Sequence, residues 1–368
     1  MIDFNDFLTI ESNIDLTKGK YASKVKSFYD DLDQYQNNNK IKKYKIKPIQ
    51  FTFEITNRCN CNCKDCGMHA NSKVKKDKLT LEELYFIIDN LYDIGIPSYG
   101  VTGGEPFLEF NNLCKMIEYA QGKIDIIKLI TNGFWGNNPK FYFDKLIQAG
   151  FLNNKMFCPS IYISIGEQNV PLKDICSLIK YVTDNFSIND FHFGIINTRK
   201  LNENYSKIEQ LYDLYEKLYG KFPKNRIFLT DSYYVNVDGK ITEEQKINVS
   251  DAIKCCDNKF ETTIGQFVSP KIFMKCNGDC YPCEVFNLHN NFFIGNLLEN
   301  NIDYIVNQLN SNKYVKFIHK YGTSSFSDVI DKKILSNNFC ETSCQACEFC
   351  INFCENNNLI SDYINIDF

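Results

Sequence analysis

Between residues 49 and 233 the sequence alternates strand-like and helix-like stretches, and that rhythm limits the folds open to it. Phe51–Thr56 repeats with period two: Phe51, Phe53 and Ile55 share one face, and Thr52, Glu54 and Thr56 the other. Ser160–Ile165 repeats the pattern. Thr80 and Glu83 form a capping box, Leu84, Ile87, Ile88 and Leu91 follow at helical spacing, and Gly95 is a stop. A second strand follows Pro97 and ends at Thr102. Further strands are predicted near 124–131, 190–197 and 226–232, and helices near 109–120, 139–149, 171–186 and 205–219. Strands joined by crossover helices lie parallel. About six such units fit the stretch, fewer than the eight of a closed barrel. The expected fold class is α/β: an incomplete (β/α)6 TIM-like barrel with its chemistry at the C-terminal ends of the strands.

The rhythm stops near residue 234. From there the chain is irregular and rich in Cys, Asn and Gly, with one or two helices expected near 301–336. Residues 234–368 are therefore expected to form a Cys-rich α+β domain organised around metal. Residues 1–48 precede the barrel as an extension, with a helix predicted near 21–36 and then a basic run from Lys40 to Lys47. That run reads as a solvated linker or as a docking patch for an acidic partner. The formal net charge of −4 argues against nucleic acid as a partner. No apolar run reaches the ~18 residues of a membrane span, and the N-terminus lacks the basic start of a signal peptide. A cytoplasmic location and no membrane partner are expected.

Seventeen cysteines in a reducing compartment do not suit structural disulfides. Fourteen of them are bunched: four over 59–66, five over 255–283 and five over 340–354. Gaps of two and three residues are what metal or cluster ligation requires. Cys114 and Cys176 sit among apolar residues at helical spacing and read as core. Cys59, Cys63 and Cys66 form a C-x3-C-x2-C loop directly after the first strand. Three thiolates can hold three irons of a [4Fe–4S] cube and leave the fourth open to a substrate. Cys61, inside the loop, is a bystander or an alternative ligand. A zinc site is the other metal reading.

This loop resembles that of the radical S-adenosylmethionine (SAM) superfamily. The resemblance implies that the open iron chelates SAM and that one electron cleaves it to a 5′-deoxyadenosyl radical. Gly103-Gly104-Glu105-Pro106, after the second strand, resembles the family's GGEP motif against the SAM amino group, its glycines permitting close backbone approach. Met68, Asn132 in Thr131-Asn132-Gly133, and Ser164 resemble positions that face adenine, ribose or carboxylate. Asp65 departs from the aromatic residue common before the last cysteine.

The C-terminal part resembles the SPASM extension of these enzymes. Gly278-x4-Cys283 matches its G-x4-C element and Ile294-Gly295-Asn296 its GN turn; Cys344-x2-Cys347 and Cys350-x3-Cys354 match its last run. The Cys347–Cys350 gap is shorter than usual, and that from Cys256 to Gly278 longer. The resemblance implies one or two auxiliary clusters drawn from Cys256, Cys276, Cys280, Cys283, Cys340, Cys344, Cys347, Cys350 and Cys354. Cys283 with Cys255 or Cys256 would serve an inner cluster, and Cys344, Cys347 and Cys350 an outer one. A structural zinc ribbon over 340–354 is the alternative. The resemblance further implies a peptide or protein substrate that is crosslinked, joined by a thioether or epimerised, and an electron donor such as flavodoxin or ferredoxin. Formylglycine formation on a sulfatase and dehydrogenation of a sugar or aminoglycoside are alternatives, as is a non-enzymatic iron–sulfur or zinc protein. Glu54 is expected to face the barrel lumen, His192 lies on a late strand, and Cys158 is a candidate hydrogen donor for epimerisation.

Overall fold

The computed structural model describes residues 45–63, 66, 68–72, 75–166, 170–198, 206–232, 247–253, 271–283, 292–340 and 343–360. The helix predicted near 21–36, most of the basic run, Asp65, Cys255 and Cys256 lie outside the described residues.

Six strands carry the predicted alternation. They are β1 (Gln50–Glu54), β2 (Ser98–Thr102), β3 (Asp125–Thr131), β4 (Ser160–Ile165), β5 (His192–Thr198) and β6 (Phe228–Ser232). They pair in chain order and all in parallel. Helices Leu81–Ile94, Phe110–Ala120, Pro139–Gln148, Leu172–Asn185 and Ser206–Tyr219 return the chain between them. The first helix starts as its sequence demands. Thr80 accepts from the Glu83 N–H and the Glu83 side chain accepts from the Thr80 N–H. It stops at Gly95, whose φ of +73° is left-handed, with the Ile96 N–H returning to the Leu91 carbonyl at 2.8 Å. Phe51, Phe53 and Ile55 pack under the helices with Leu84, Ile87, Ile88 and Leu91. Burying each such side chain stabilises the fold by roughly 2–3 kcal/mol. The sheet is open: among the described residues no strand pairs the outer side of β6.

The chain after residue 234 does not stand apart from this sheet. β8 (Lys271–Met274) lies parallel to β1 on its other side, from Gln50 beside Lys271 to Phe53 beside Met274. β9 (Asp279–Tyr281) and β10 (Gly295–Asn296) follow antiparallel, giving nine strands in one sheet. Paired residues share a face. Ile272 and Met274 therefore join Phe51 and Phe53 in the core under the helices. Phe273 sits beside Thr52 on the inner face, where it enters a second core with Tyr281, Ile253, Phe292, Phe317 and Phe326. The Cys-rich part thus builds its core against the inner face of β8 and β9. A short bridge of β7 (Ile247–Asn248) with β11 (Phe339–Cys340) closes its far side.

Between 301 and 337 there are four helices: Ile302–Ser311, Lys313–Tyr321, Phe326–Val329 and Lys332–Asn337. The expected one or two are divided by caps. Asn312 ends the first, and its side-chain oxygen accepts from the N–H groups of Tyr314 and Val315 to start the second. Asp331 caps the last in the same way.

The G-x4-C and GN elements meet in space. Gly278 has φ +95°, and a Cβ on it would lie 2.3 Å from Asn296 Oδ1. That oxygen accepts from the Leu298 N–H, and the Asn296 amide donates to Asp279 and to the Asn277 carbonyl. Glycine is thus required twice at 278, for its backbone angle and for its neighbour. Gly278→Ala is expected to lower stability by about 2 kcal/mol, read as a shifted denaturant midpoint. An unchanged midpoint would show that the two elements are not interlocked.

Candidate functional site

β1 ends at Glu54, and the chain turns into the cysteine loop at the C-terminal edge of the sheet. Cys59, Cys63 and Cys66 are half-buried, whereas Cys61 is 5% exposed and packs into the barrel core. Two asparagines that the sequence reading missed hold the loop. Asn71 Oδ1 accepts from the Cys59 N–H at 2.8 Å, and its amide donates to the carbonyls of Cys59 and Cys61 at 3.0 and 3.2 Å. Asn57 donates to the Ser72 carbonyl at 3.0 Å. Asn71 has φ +61°, a conformation that asparagine tolerates better than most residues. An Asn soon after a cysteine loop was the only available signal, and it is a weak one.

The Gly103–Pro106 turn at the end of β2 is locked onto the same loop. The Gly104 N–H donates to the Thr56 carbonyl at 2.7 Å, and the Glu105 N–H to the Arg58 carbonyl at 2.8 Å. A Cβ on Gly103 would lie 2.5 Å from Thr56 O, and one on Gly104 2.2 Å from Arg58 O. The close approach that the glycines permit is to the backbone of the cysteine loop. Glu105 is fully buried. Its Oε1 accepts from Thr131 Oγ1 at 2.7 Å and from the Phe107 N–H at 3.0 Å, and its Oε2 from the Asn132 N–H at 2.7 Å. Burial pushes its carboxyl up to about 7 against the pull of these donors. Thr131 also accepts from the Trp135 indole at 3.1 Å. The carboxylate thus braces the β2 turn against the β3 turn.

Three thiols on one loop, interlocked with a glycine turn at the next strand end, fit a cluster with one open iron. Residues 53–197 match the family described as the radical SAM superfamily. The stretch from 53 to 197 is thus similar to a radical SAM domain. A subtilosin biosynthesis protein of Bacillus subtilis, AlbA, is 30% identical over 86 residues, which are 23% of this chain and 19% of AlbA. A GTP 3′,8-cyclase of Desulforamulus reducens is 39% identical over 83 residues, 22% of this chain and 25% of the cyclase. These matches span a quarter or less of the curated relatives' length. Streptococcus suis SuiB, solved bound to its precursor peptide SuiA, shares the fold at TM-score 0.50 and 16% identity, covering 82% of this chain and 71% of SuiB.

Around the cysteine loop the other expected residues separate. Ser164 is half-buried on the inner face of β4, near its C-terminal end. Met68 is half-buried against the second core. Asn132 turns its amide to the cysteine loop, 2.8 Å from Asn60 Oδ1, 3.2 Å from Cys61 Sγ and 3.8 Å from Cys59 Sγ. His192 opens β5 at the opposite, N-terminal end, with its ring 4.7 Å from that of Phe228. Burial lowers its pKa, and it reads as a core histidine. Cys158 precedes β4 at that same end, and its thiol donates to the Pro159 carbonyl. The six residues of β4 separate it from the cysteine loop by about 20 Å. It is therefore not placed to quench a radical formed there.

Glu54 faces inward, as expected, but it is not a satisfied core residue. Its Oε2 accepts from the Cys276 N–H at 3.3 Å, while Oε1 has no hydrogen-bond partner among the described residues. Burial pushes its carboxyl up to about 7, although the Lys275 charge and the Cys276 N–H act against the rise.

The C-terminal cysteines fall into two environments. Cys276 and Cys280 belong to the barrel core, and their thiols donate to the carbonyls of Lys76 and Gly278. Cys340, Cys347, Cys350 and Cys354 are buried in the second core, with Cys283 at its edge. The last run lies on one helix, Ser343–Asn357, which also carries Cys344. Steps of three and four residues keep Cys347, Cys350 and Cys354 on one side of that helix. Burial and then the nearby Cys347, Cys354 and Cys340 raise the Cys350 pKa, so these four thiols form one group. Among the described residues no three His, Cys, Asp or Glu side chains converge on one metal ion. A cubane takes one thiolate per iron, so its ligands need not converge on a point. The three thiols of the 59–66 loop and the four of the second core fit such clusters in donor type and number, whereas Cys276 and Cys280 supply only two.

Two outcomes follow from this geometry. After anaerobic reconstitution, Cys63→Ala should lose about four irons per chain, while Cys61→Ala, at the buried position of the loop, should keep them; loss in Cys61→Ala would make Cys61 a ligand. The second concerns pH. Glu54 has an ordinary value of 4.5 and a folded value of about 7, so the folded state holds its proton more tightly. Its contribution is fully present below 4.5 and is lost as pH rises through about 7, a change of up to about 3 kcal/mol. Urea midpoints of the cluster-free protein should fall from pH 5 to pH 8, and Glu54→Gln should flatten that fall. A parallel curve in the variant would refute the assignment.

Proposed function

We propose that this chain is a radical SAM enzyme that modifies a peptide or protein. The interlock of the three-cysteine loop with the Gly103–Pro106 turn carries the reading. Cys59, Cys63 and Cys66 would hold a [4Fe–4S] cluster, and the Gly103–Pro106 backbone, Ser164 and Met68 border the space for SAM. When bound and given one electron, that pair supplies a 5′-deoxyadenosyl radical able to take hydrogen from a substrate. The chain's own work is positional. Asn71 and the Gly104 N–H fix the loop against the strand ends, Glu105 ties the β2 turn to the β3 turn, and the barrel core underneath excludes water. Glu54 lines the lumen with an unpaired oxygen that a substrate N–H or O–H could meet.

The peptide part of the reading rests on different support. The sheet is open beyond β6 among the described residues, which leaves room for an extended substrate. AlbA is named for bacteriocin biosynthesis and SuiB is solved with a precursor peptide. The thiols of the second core would hold auxiliary iron–sulfur centres, a route for an electron to or from the substrate. A one-electron carrier of the flavodoxin or ferredoxin kind would supply the first cluster. No helix among the described residues is long and apolar enough to cross a membrane.

Protein reconstituted with iron and sulfide, reduced with dithionite and given SAM should release 5′-deoxyadenosine, and Cys63→Ala should fall to the background without enzyme. Short peptides encoded beside the gene are the substrates to try, with mass spectrometry reading any loss of hydrogen or new crosslink. A fully loaded first cluster that yields no deoxyadenosine, with or without those peptides, would sink the proposal.

A further inference from the structure

Asn132 is the residue immediately after β3, and every polar atom that orients it is engaged. Its backbone N–H donates to Glu105 Oε2 at 2.7 Å, and its side-chain Oδ1 accepts from the Phe134 N–H at 3.1 Å. Because an N–H points at Oδ1, the other end of the amide must be the nitrogen, and the flip is determined by the network. That nitrogen faces the cysteine loop. It lies 2.8 Å from Asn60 Oδ1, 3.2 Å from Cys61 Sγ and 3.8 Å from Cys59 Sγ. Asn132 is only 8% exposed, so little water competes for the donor. The resemblance in sequence pointed Asn132 at SAM, but its amide is turned to sulfur.

We propose that Asn132 raises the reduction potential of the cluster held by Cys59, Cys63 and Cys66. This rests on the radical SAM reading of that loop. The physical reason is charge. The one-electron-reduced cluster carries one more negative charge than the oxidised one, spread partly onto its thiolates. An N–H aimed at a thiolate sulfur therefore stabilises the reduced form more than the oxidised form. The donor, held by the Glu105 brace, approaches from the side of β3; Asn60 Oδ1 and Cys61 Sγ are its nearer acceptors, and Cys59 Sγ lies within sulfur hydrogen-bond range at 3.8 Å. The β2 turn, the β3 turn and the cluster loop then act as one unit: Glu105 sets Asn132, and Asn132 sets the electron density at Cys59. Asn132 acts through Cys59 and is a positioning residue.

The test is a potentiometric titration of the reconstituted full chain followed by electron paramagnetic resonance. The first cluster is the signal that disappears in the Cys59→Ala, Cys63→Ala, Cys66→Ala triple variant. Asn132→Leu removes the donor without adding charge. Asn132→Asp keeps an oxygen for the Phe134 N–H and replaces the donor with an acceptor, so it guards against a simple folding failure of the leucine variant. Both should shift the midpoint potential of that signal downward, the aspartate variant further. A cluster that keeps its signal and its midpoint in both variants would overturn the inference. Loss of the cluster from both would overturn it too, by making Asn132 a structural post. A wild-type chain that never yields the first signal would instead bring down the function reading on which this rests.

Discussion

Two backbone hydrogen bonds, from Gly104 to Thr56 and from Glu105 to Arg58, hold the candidate site together. They join the ends of adjacent parallel strands beyond the sheet, where ladder bonds have stopped. Ladder bonding leaves loops at strand ends unsupported, and loops there are normally mobile. On the proposed function this loop would place three thiolates at fixed separations. It is held on one side by the β2 turn and on the other by Asn71, which bonds both Cys59 and Cys61 main chains. No side chain larger than hydrogen fits at 103 or 104, because a Cβ would fall inside the van der Waals radius of a carbonyl oxygen.

The same region concentrates buried charge. Glu105 and Glu54 are both raised by desolvation, but they differ in what surrounds them. Glu105 receives three donors and acts as a brace between turns. Glu54 receives one, and its second oxygen is unmet among the described residues. An unmet buried acceptor costs roughly 1–3 kcal/mol. Strain of that kind persists where a ligand is meant to satisfy it, and Glu54 sits on the inner face of the strand that leads into the cysteine loop.

The Cys-rich part is physically continuous with the barrel. β8 pairs with β1 over four residues, and Phe273 carries the second core onto the inner face of the shared sheet. The helix that bears Cys347, Cys350 and Cys354 shares that core with Phe273, on the strand paired with the one that carries Glu54. Cys276 shows the coupling directly: its N–H meets Glu54 and its thiol meets the Lys76 carbonyl behind the cysteine loop.

Much of this was legible in residue order. The alternation at Phe51–Thr56 assigned its two faces, the Thr80 box and Gly95 bounded a helix, and the spacing at 59–66 marked out the candidate loop, because each signal is local. What tertiary structure decided was which distant groups meet. It put β8 beside β1 and split the C-terminal cysteines between two cores. It placed Cys158 and His192 at the wrong end of the barrel for chemistry and turned Asn132 toward sulfur. The contact of Cys276 with Glu54 spans 222 positions, and that of Asn132 with Cys61 spans 71. No periodicity or motif encodes such pairs; they arise only when parallel strands in register bring their C-terminal ends to one edge of the sheet.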